Sequence, residues 1–105
     1  MSAHSSEPIR SAFVDDPEMF ELVEMFVDEM PDRVTSLESA WSDAEREMLQ
    51  RIAHQLKGSC AGYGFAAVGK CAAEFESVLK DASTDLDAIR QEFDALVAMC
   101  NRVVL

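Results

Sequence analysis

Residues 49–60 read LQRIAHQLKGSC, and the apolar positions of this stretch recur at helical spacing. On a helix that turns by about 100° per residue, His54 falls about 140° away from the apolar stripe, on the solvent side. The segment therefore predicts an amphipathic helix that presents an exposed histidine. The predicted core positions are Leu49, Ile52, Ala53, Leu56 and Cys60.

Two neighbours of His54 suggest a chemical role for its imidazole. Lys57 lies about one turn further along the same surface, where its flexible ammonium group could meet the oxygens of a phosphoryl group on His54. Gly58 costs about 1 kcal/mol relative to alanine inside a helix, so it indicates a surface kept bare for the close approach of a partner. This combination predicts a phosphoryl-accepting histidine.

Apolar periodicity elsewhere predicts three more helices, and hence an all-α, antiparallel four-helix bundle with a short N-terminal tail or extra helical segment. Residues 1–14 lack periodicity and are expected to form a mobile tail, which leaves residues 15–105 as the domain. The inward positions of the three other helices are Met19, Val23, Phe26, Met30, Val34, Leu37 and Trp41; Phe65, Val68, Ala72, Phe75 and Leu79; and Leu86, Ile89, Phe93, Leu96, Cys100 and Val103.

The helix boundaries follow from capping and proline signals. Asp16-Pro17 predicts the start of the first helix, and Pro31 predicts a kink or short break before Val34. The run Ser42-Asp43-Ala44-Glu45 has the spacing of a capping box and predicts the start of the second helix. A polar turn over residues 81–84 separates the last two helices.

Composition excludes several classes of function. The formal net charge of −11 opposes binding to nucleic acid and to anionic membranes. We see neither an apolar run long enough to span a bilayer nor a signal peptide, so a cytoplasmic location is expected. A bundle whose stripes are satisfied internally is expected to be monomeric.

Three cysteines, an odd number without a Cys-x-x-Cys pair, fit a reducing compartment. Cys60, Cys71 and Cys100 lie on predicted core faces, where cysteine acts as a small hydrophobic residue. A zinc site formed by these residues and His54 is the alternative, but their spacing matches no zinc template. His4 lies in the predicted tail, where no role is expected for it.

The segment from Ala53 to Ser59 resembles the signature of histidine-containing phosphotransfer (HPt) domains of multistep two-component phosphorelays. The resemblance extends over about residues 17–80. Further matches are Gly64, Val68, Cys71 and the apolar-acidic pair Phe75-Glu76.

The resemblance implies that His54 accepts a phosphoryl group from a receiver-domain phosphoaspartate and passes it to another receiver aspartate. Lys57 would face the phosphate, and Gly58 would admit the receiver. The implied partners are response-regulator receiver domains and a hybrid sensor histidine kinase, and Mg²⁺ is expected on the receiver. No cofactor, metal or enzymatic activity is expected of this chain. Candidate docking residues from the helical wheel are Gln50, Arg51, Gln55 and Ala61.

Three alternatives remain open at this stage. The chain could be a helical adaptor that binds and regulates a receiver or a kinase without being phosphorylated. It could be a fragment of a larger hybrid kinase, which would keep the same chemistry. It could also be the chemotaxis-kinase variant of the domain, although we see no kinase or dimerisation segment.

Overall fold

The computed structural model describes residues 7–105, which contain four α-helices. The helices are α1 (Phe20–Ser42), α2 (Arg46–Gly62), α3 (Ala66–Lys80) and α4 (Arg90–Arg102), and a 3₁₀ turn at Leu86–Ile89 leads directly into α4. The connections are short, so successive helices run in opposite directions. α1 and α3 each pack against both α2 and α4. The predicted all-α four-helix bundle is confirmed.

The core forms where the apolar stripes of the four helices meet. All five predicted core positions of α2 are at most 9 % exposed, and Leu49 and Leu56 are almost completely buried. Burial of a leucine side chain contributes about 1.5–3 kcal/mol, so the stripe fixes the orientation of α2 in the bundle. The face of α2 that carries His54 consequently points to solvent.

α1 runs unbroken through Pro31, so of the predicted kink or short break before Val34, the break was wrong. Proline removes one backbone donor, but Met30 and Val34 on either side remain buried in the same stripe. Continuous burial along α1 outweighs the lost hydrogen bond. The hydroxyl of Thr35 also donates to the carbonyl of Pro31 at 3.0 Å.

The start predicted for the second helix was also wrong. Ser42 is the last residue of α1, and α2 begins at Arg46 without a side-chain cap. The reversal between the helices depends on Ala44, whose φ of 54° lies in the left-handed region. Trp41 stacks on Phe93 with ring centroids 4.4 Å apart, and this packing keeps the end of α1 helical past the predicted boundary.

The N-terminal region departs from the prediction in two places. Asp16 opens a turn by accepting the amide of Glu18 at 2.9 Å, and α1 begins only at Phe20. Residues 9–14, here called the N-terminal strap, pack against the bundle, so the tail predicted for residues 1–14 was too long. Ile9 forms a parallel bridge with Val103, and paired backbone groups rather than periodic side chains hold this segment.

α2 and α3 approach each other closely, and two contacts set their relative positions. A Cβ atom on Gly69 would lie 3.3 Å from the carbonyl oxygen of Lys57, so a larger residue there would push the helices apart. At the other end of α2, the Arg46 guanidinium donates to the carbonyls of Leu79, Asp81 and Thr84 at 2.7–2.8 Å. These bonds cap α3 and hold its C-terminal end beside the start of α2.

Candidate functional site

His54 lies in the middle of α2 with its side chain 67 % exposed, as the helical wheel predicts. Its Nδ1 atom is 2.9 Å from Oε2 of Glu76 on α3. One ring nitrogen is thus held by the protein. The other, Nε2, belongs to a largely exposed ring.

Glu76 is a buried carboxylate, with a residue exposure of 5 %. The hydrogen bond from Lys57 holds the pKa of this carboxyl at about 2, well below its ordinary value of 4.5. Burial opposes this effect, while the bond to His54 and the charges of Lys57 and Lys80 add to it. Glu76 is therefore ionised near neutral pH and can only accept hydrogen bonds.

Two lysines surround this carboxylate. Nζ of Lys57 donates to Oε1 of Glu76 at 2.8 Å, and Nζ of Lys80 lies 3.5 Å from Oε2. The sequence predicts a phosphoryl group on His54 as the charged partner of Lys57. The structure corrects this, because Lys57 is already paired with Glu76. Its side chain remains 41 % exposed, so the ammonium group is accessible from solvent.

A shallow groove beside His54 follows the exposed face of α2. A Cβ atom on Gly58 or Gly62 would meet no atom within 4 Å, so packing inside this chain does not require glycine at either position. The glycines leave the helix surface bare between the histidine and the end of α2. The groove is lined by His54, Gln55, Gly58, Ser59, Gly62 and Tyr63.

The four docking residues suggested by the helical wheel differ in their surroundings. Arg51, Gln55 and Ala61 are exposed, and Gln55 also lines the groove. Gln50 is half-buried, and its side-chain amide donates to the carbonyl of Leu79 at 3.2 Å. The Gln50 side chain is thus directed at α3, whereas the other three remain open to solvent.

From the sequence, Glu76 was predicted only as the acidic member of the pair Phe75-Glu76 that matches the HPt signature, and no role in the site was predicted for it. The available signal was its position, since it follows Phe75 and precedes Leu79 by three residues, inside the buried stripe of α3. An acidic residue at such a position needs a partner, because burying an unpaired charge is costly. The identity of the partner depends on how α2 and α3 align. The apolar periodicity of the α3 sequence carries no information about that alignment.

The cysteines do not join this site. Cys60 and Cys100 are buried, and burial raises the pKa of their thiols to about 11 and about 12. Within residues 7–105, no cluster of three or more histidine, cysteine or acidic side chains has the geometry of a metal site. His4 lies outside the described residues. No helix in the described part of the chain is long and apolar enough to cross a membrane.

The sequence model of the Hpt domain family matches residues 21–104, which include all four helices apart from the first residue of α1. The chain belongs to the Hpt domain family. Membership implies the role of a histidine phosphocarrier in a phosphorelay, with receiver domains as its class of partner. Hpt domains are carriers and do not catalyse the transfer themselves. Neither a curated relative nor a solved structure matches the chain significantly.

Proposed function

We propose that this Hpt domain accepts a phosphoryl group on Nε2 of His54 from a receiver phosphoaspartate and donates it to a second receiver aspartate. The observation that carries the proposal is the bond between Nδ1 of His54 and the buried carboxylate of Glu76. That bond fixes one side of an otherwise exposed imidazole. It leaves the other side available to a partner.

The protonation state of the Glu76 carboxylate determines which nitrogen is the nucleophile. An ionised carboxylate accepts hydrogen bonds but cannot donate them. In the neutral imidazole of His54 the proton therefore resides on Nδ1, which donates to Glu76. Nε2 then carries the lone pair. The contact with Glu76 therefore selects the tautomer that places the nucleophilic nitrogen on the exposed side of the ring.

Transfer of the phosphoryl group to Nε2 then requires no loss of a proton from the imidazole ring. The Nε2 lone pair forms a bond to phosphorus as the bond between phosphorus and the aspartyl oxygen breaks. The electron pair of that bond leaves with the aspartate carboxylate. The phosphorylated ring keeps its Nδ1 proton and gains positive charge, which the Glu76 carboxylate 2.9 Å away offsets. Return transfer to another receiver reverses these steps.

Lys57 is proposed to interact with the phosphoryl oxygens once His54 is modified. Its exposed ammonium group can turn outward, since Lys80 and the imidazole also neighbour Glu76. The residues described here include no cluster suited to a metal ion. We assign Mg²⁺ and the remaining stabilisation of the transferring group to the receiver. The internally packed core further supports a monomeric carrier.

The test is the intact mass of the chain after incubation with a phosphorylated receiver and Mg²⁺, kept away from acid. One added phosphoryl group, absent in His54→Gln, is the expected result. ¹⁵N chemical shifts of the ring should assign the modification to Nε2. Stable receiver binding without a mass gain would favour the adaptor alternative instead.

A further inference from the structure

The N-terminal strap is fastened to the bundle at two places. At one end, the amide of Ile9 donates to the carbonyl of Arg102 at 2.8 Å, and the amide of Val104 donates to the carbonyl of Ile9 at 3.0 Å. At the other end, the amide of Ala12 donates to the carbonyl of Gly64 at 2.9 Å. The strap thus links the end of α4 to the loop between α2 and α3. It lies outside the residues matched by the family model.

Ser11 makes the contact that connects the strap to the site. Its hydroxyl donates to the carbonyl of Tyr63 at 2.6 Å and accepts the amide of Phe13 at 2.9 Å. Among residues 7–105, only Ser11 and Glu76 are buried polar or charged residues. Gly64 has a φ of +84°, and a Cβ atom there would lie 2.5 Å from the Ser11 oxygen. The loop is therefore shaped to receive this serine.

Tyr63 forms one end of the groove beside His54. It lines the groove together with Gly58 and Gly62, and its ring stacks on Phe26 of α1 with centroids 5.0 Å apart. The two glycines that leave the groove bare are weak helix formers, so they favour fraying of the last turns of α2. The strap binds the carbonyl of Tyr63, the C-cap residue directly after this helix, and opposes that fraying.

We infer that the strap is a positioning element for receiver docking, which acts by holding Tyr63 and the final turns of α2 in the shape that the receiver contacts. The inference rests on the proposed function, because the groove must be covered by the receiver when the phosphoryl group reaches His54. The hydrogen bonds that hold the strap reach the loop after α2 and the end of α4, and not the imidazole. It therefore affects binding of the receiver rather than the reactivity of His54.

Ser11→Ala tests the inference, with Ser39→Ala as its control. Ser39 is an exposed serine near the far end of α1. The probe is the receiver domain that binds the unmodified chain most tightly among the receivers of the same organism, and its Kd is measured by calorimetry. Loss of the hydroxyl should weaken binding roughly threefold to tenfold. The amides of Tyr63 and Phe65 should exchange with solvent faster, while Ser39→Ala should match the unaltered chain in both measurements.

A small phosphodonor separates docking from chemistry. Phosphoramidate should phosphorylate His54 at the same rate in Ser11→Ala and in the unaltered chain. If Ser11→Ala slowed phosphorylation of His54 equally with phosphoramidate and with the receiver, the inference would be overturned. Unchanged receiver affinity despite faster amide exchange would also overturn it, as would the binding of no receiver at all. If Ser11→Ala does not fold, Ile9→Ala is tested in the same way, because it removes the packing of the Ile9 side chain against the core at the opposite anchor. A receiver that binds but transfers no phosphoryl group would refute the proposed function alone, since the effect of the strap is measured by affinity.

Discussion

Oε2 of Glu76 lies 2.9 Å from Nδ1 of His54, which joins a buried carboxylate on α3 to an exposed imidazole on α2. The same carboxylate accepts a hydrogen bond from Lys57, so a single side chain orients the proposed nucleophile and holds the proposed phosphate-binding cation. The two groups on α2 are one helical turn apart. Their arrangement therefore depends on the alignment of α3 with α2.

Replacing Glu76 with glutamine should slow phosphoryl transfer to His54. The neutral amide can accept from Nδ1 or donate to it, so the tautomer with its lone pair on Nε2 is no longer selected. Loss of a charge-assisted hydrogen bond worth about 1.5–3 kcal/mol corresponds to a rate roughly tenfold to a hundredfold lower. Single-turnover transfer kinetics and ¹⁵N shifts of the ring measure the two effects.

The matched control is Glu74→Gln, which removes an exposed carboxylate from the same helix. It should transfer at the original rate. If Glu76→Gln retained both the rate and the Nδ1-protonated tautomer, Glu76 would have no positioning role.

The stability of the fold should depend on pH through Glu76. The pKa of its carboxyl is about 2 in the folded chain, below its ordinary value of 4.5, so the unfolded chain takes up this proton first as pH falls. The stabilisation is fully present above about pH 4.5 and is lost progressively toward pH 2. Urea unfolding at several pH values should show a steeper loss of stability in the unaltered chain than in Glu76→Gln. Parallel curves would mean that Glu76 does not contribute to this loss.

Lys57→Ala should shorten the lifetime of the phosphohistidine and slow transfer while leaving the fold intact. The ammonium group of Lys57 is partly exposed, and Glu76 keeps Lys80 and His54 as neighbours. The free energy of unfolding should therefore fall by no more than about 1 kcal/mol. Lys80→Ala is the comparison, because the ammonium group of Lys80 lies farther from Glu76, at 3.5 Å. This substitution should change the phosphohistidine lifetime and the transfer rate less than Lys57→Ala does. Equal lifetimes in the unaltered chain and Lys57→Ala would remove Lys57 from the proposed mechanism.

The periodic part of the sequence was sufficient to predict the bundle, the core face of α2 and the exposure of His54. These features depend on local spacing and on burial, which the order of apolar residues records directly. The predicted capping box at Ser42 failed for a physical reason. Packing of Trp41 on Phe93, 52 residues away along the chain, extends α1 beyond the local signal.

The contacts of Glu76 and of the N-terminal strap could not be predicted in the same way. Glu76 meets His54 only because α2 and α3 align through contacts such as those of Arg46 and Gly69. The strap is held largely by backbone hydrogen bonds, which leave no periodic pattern in the sequence. Both features depend on residues brought together from distant parts of the chain.

Substitutions at Gly58 should separate stability from function. Gly58→Ala should stabilise the fold by about 0.5–1 kcal/mol, because alanine is the better helix former and its Cβ meets no atom within 4 Å. Gly58→Gln should keep much of that gain and yet block transfer from a receiver, since its longer side chain would occupy the groove beside His54. Thermal unfolding and transfer kinetics measure the two effects. Normal transfer by Gly58→Gln would refute the need for a bare surface.

Ala44→Gly should also stabilise the fold, for a reason that has no connection with transfer. Ala44 has a φ of 54°, a region that costs a residue with a Cβ atom about 1 kcal/mol and costs glycine little. The greater freedom of glycine in the unfolded chain offsets part of this gain, so the free energy of unfolding should rise by about 0.5 kcal/mol. Transfer should be unchanged, because the turn lies at the end of α2 remote from the groove. A loss of stability in urea unfolding would show that the turn does not have the left-handed conformation described here.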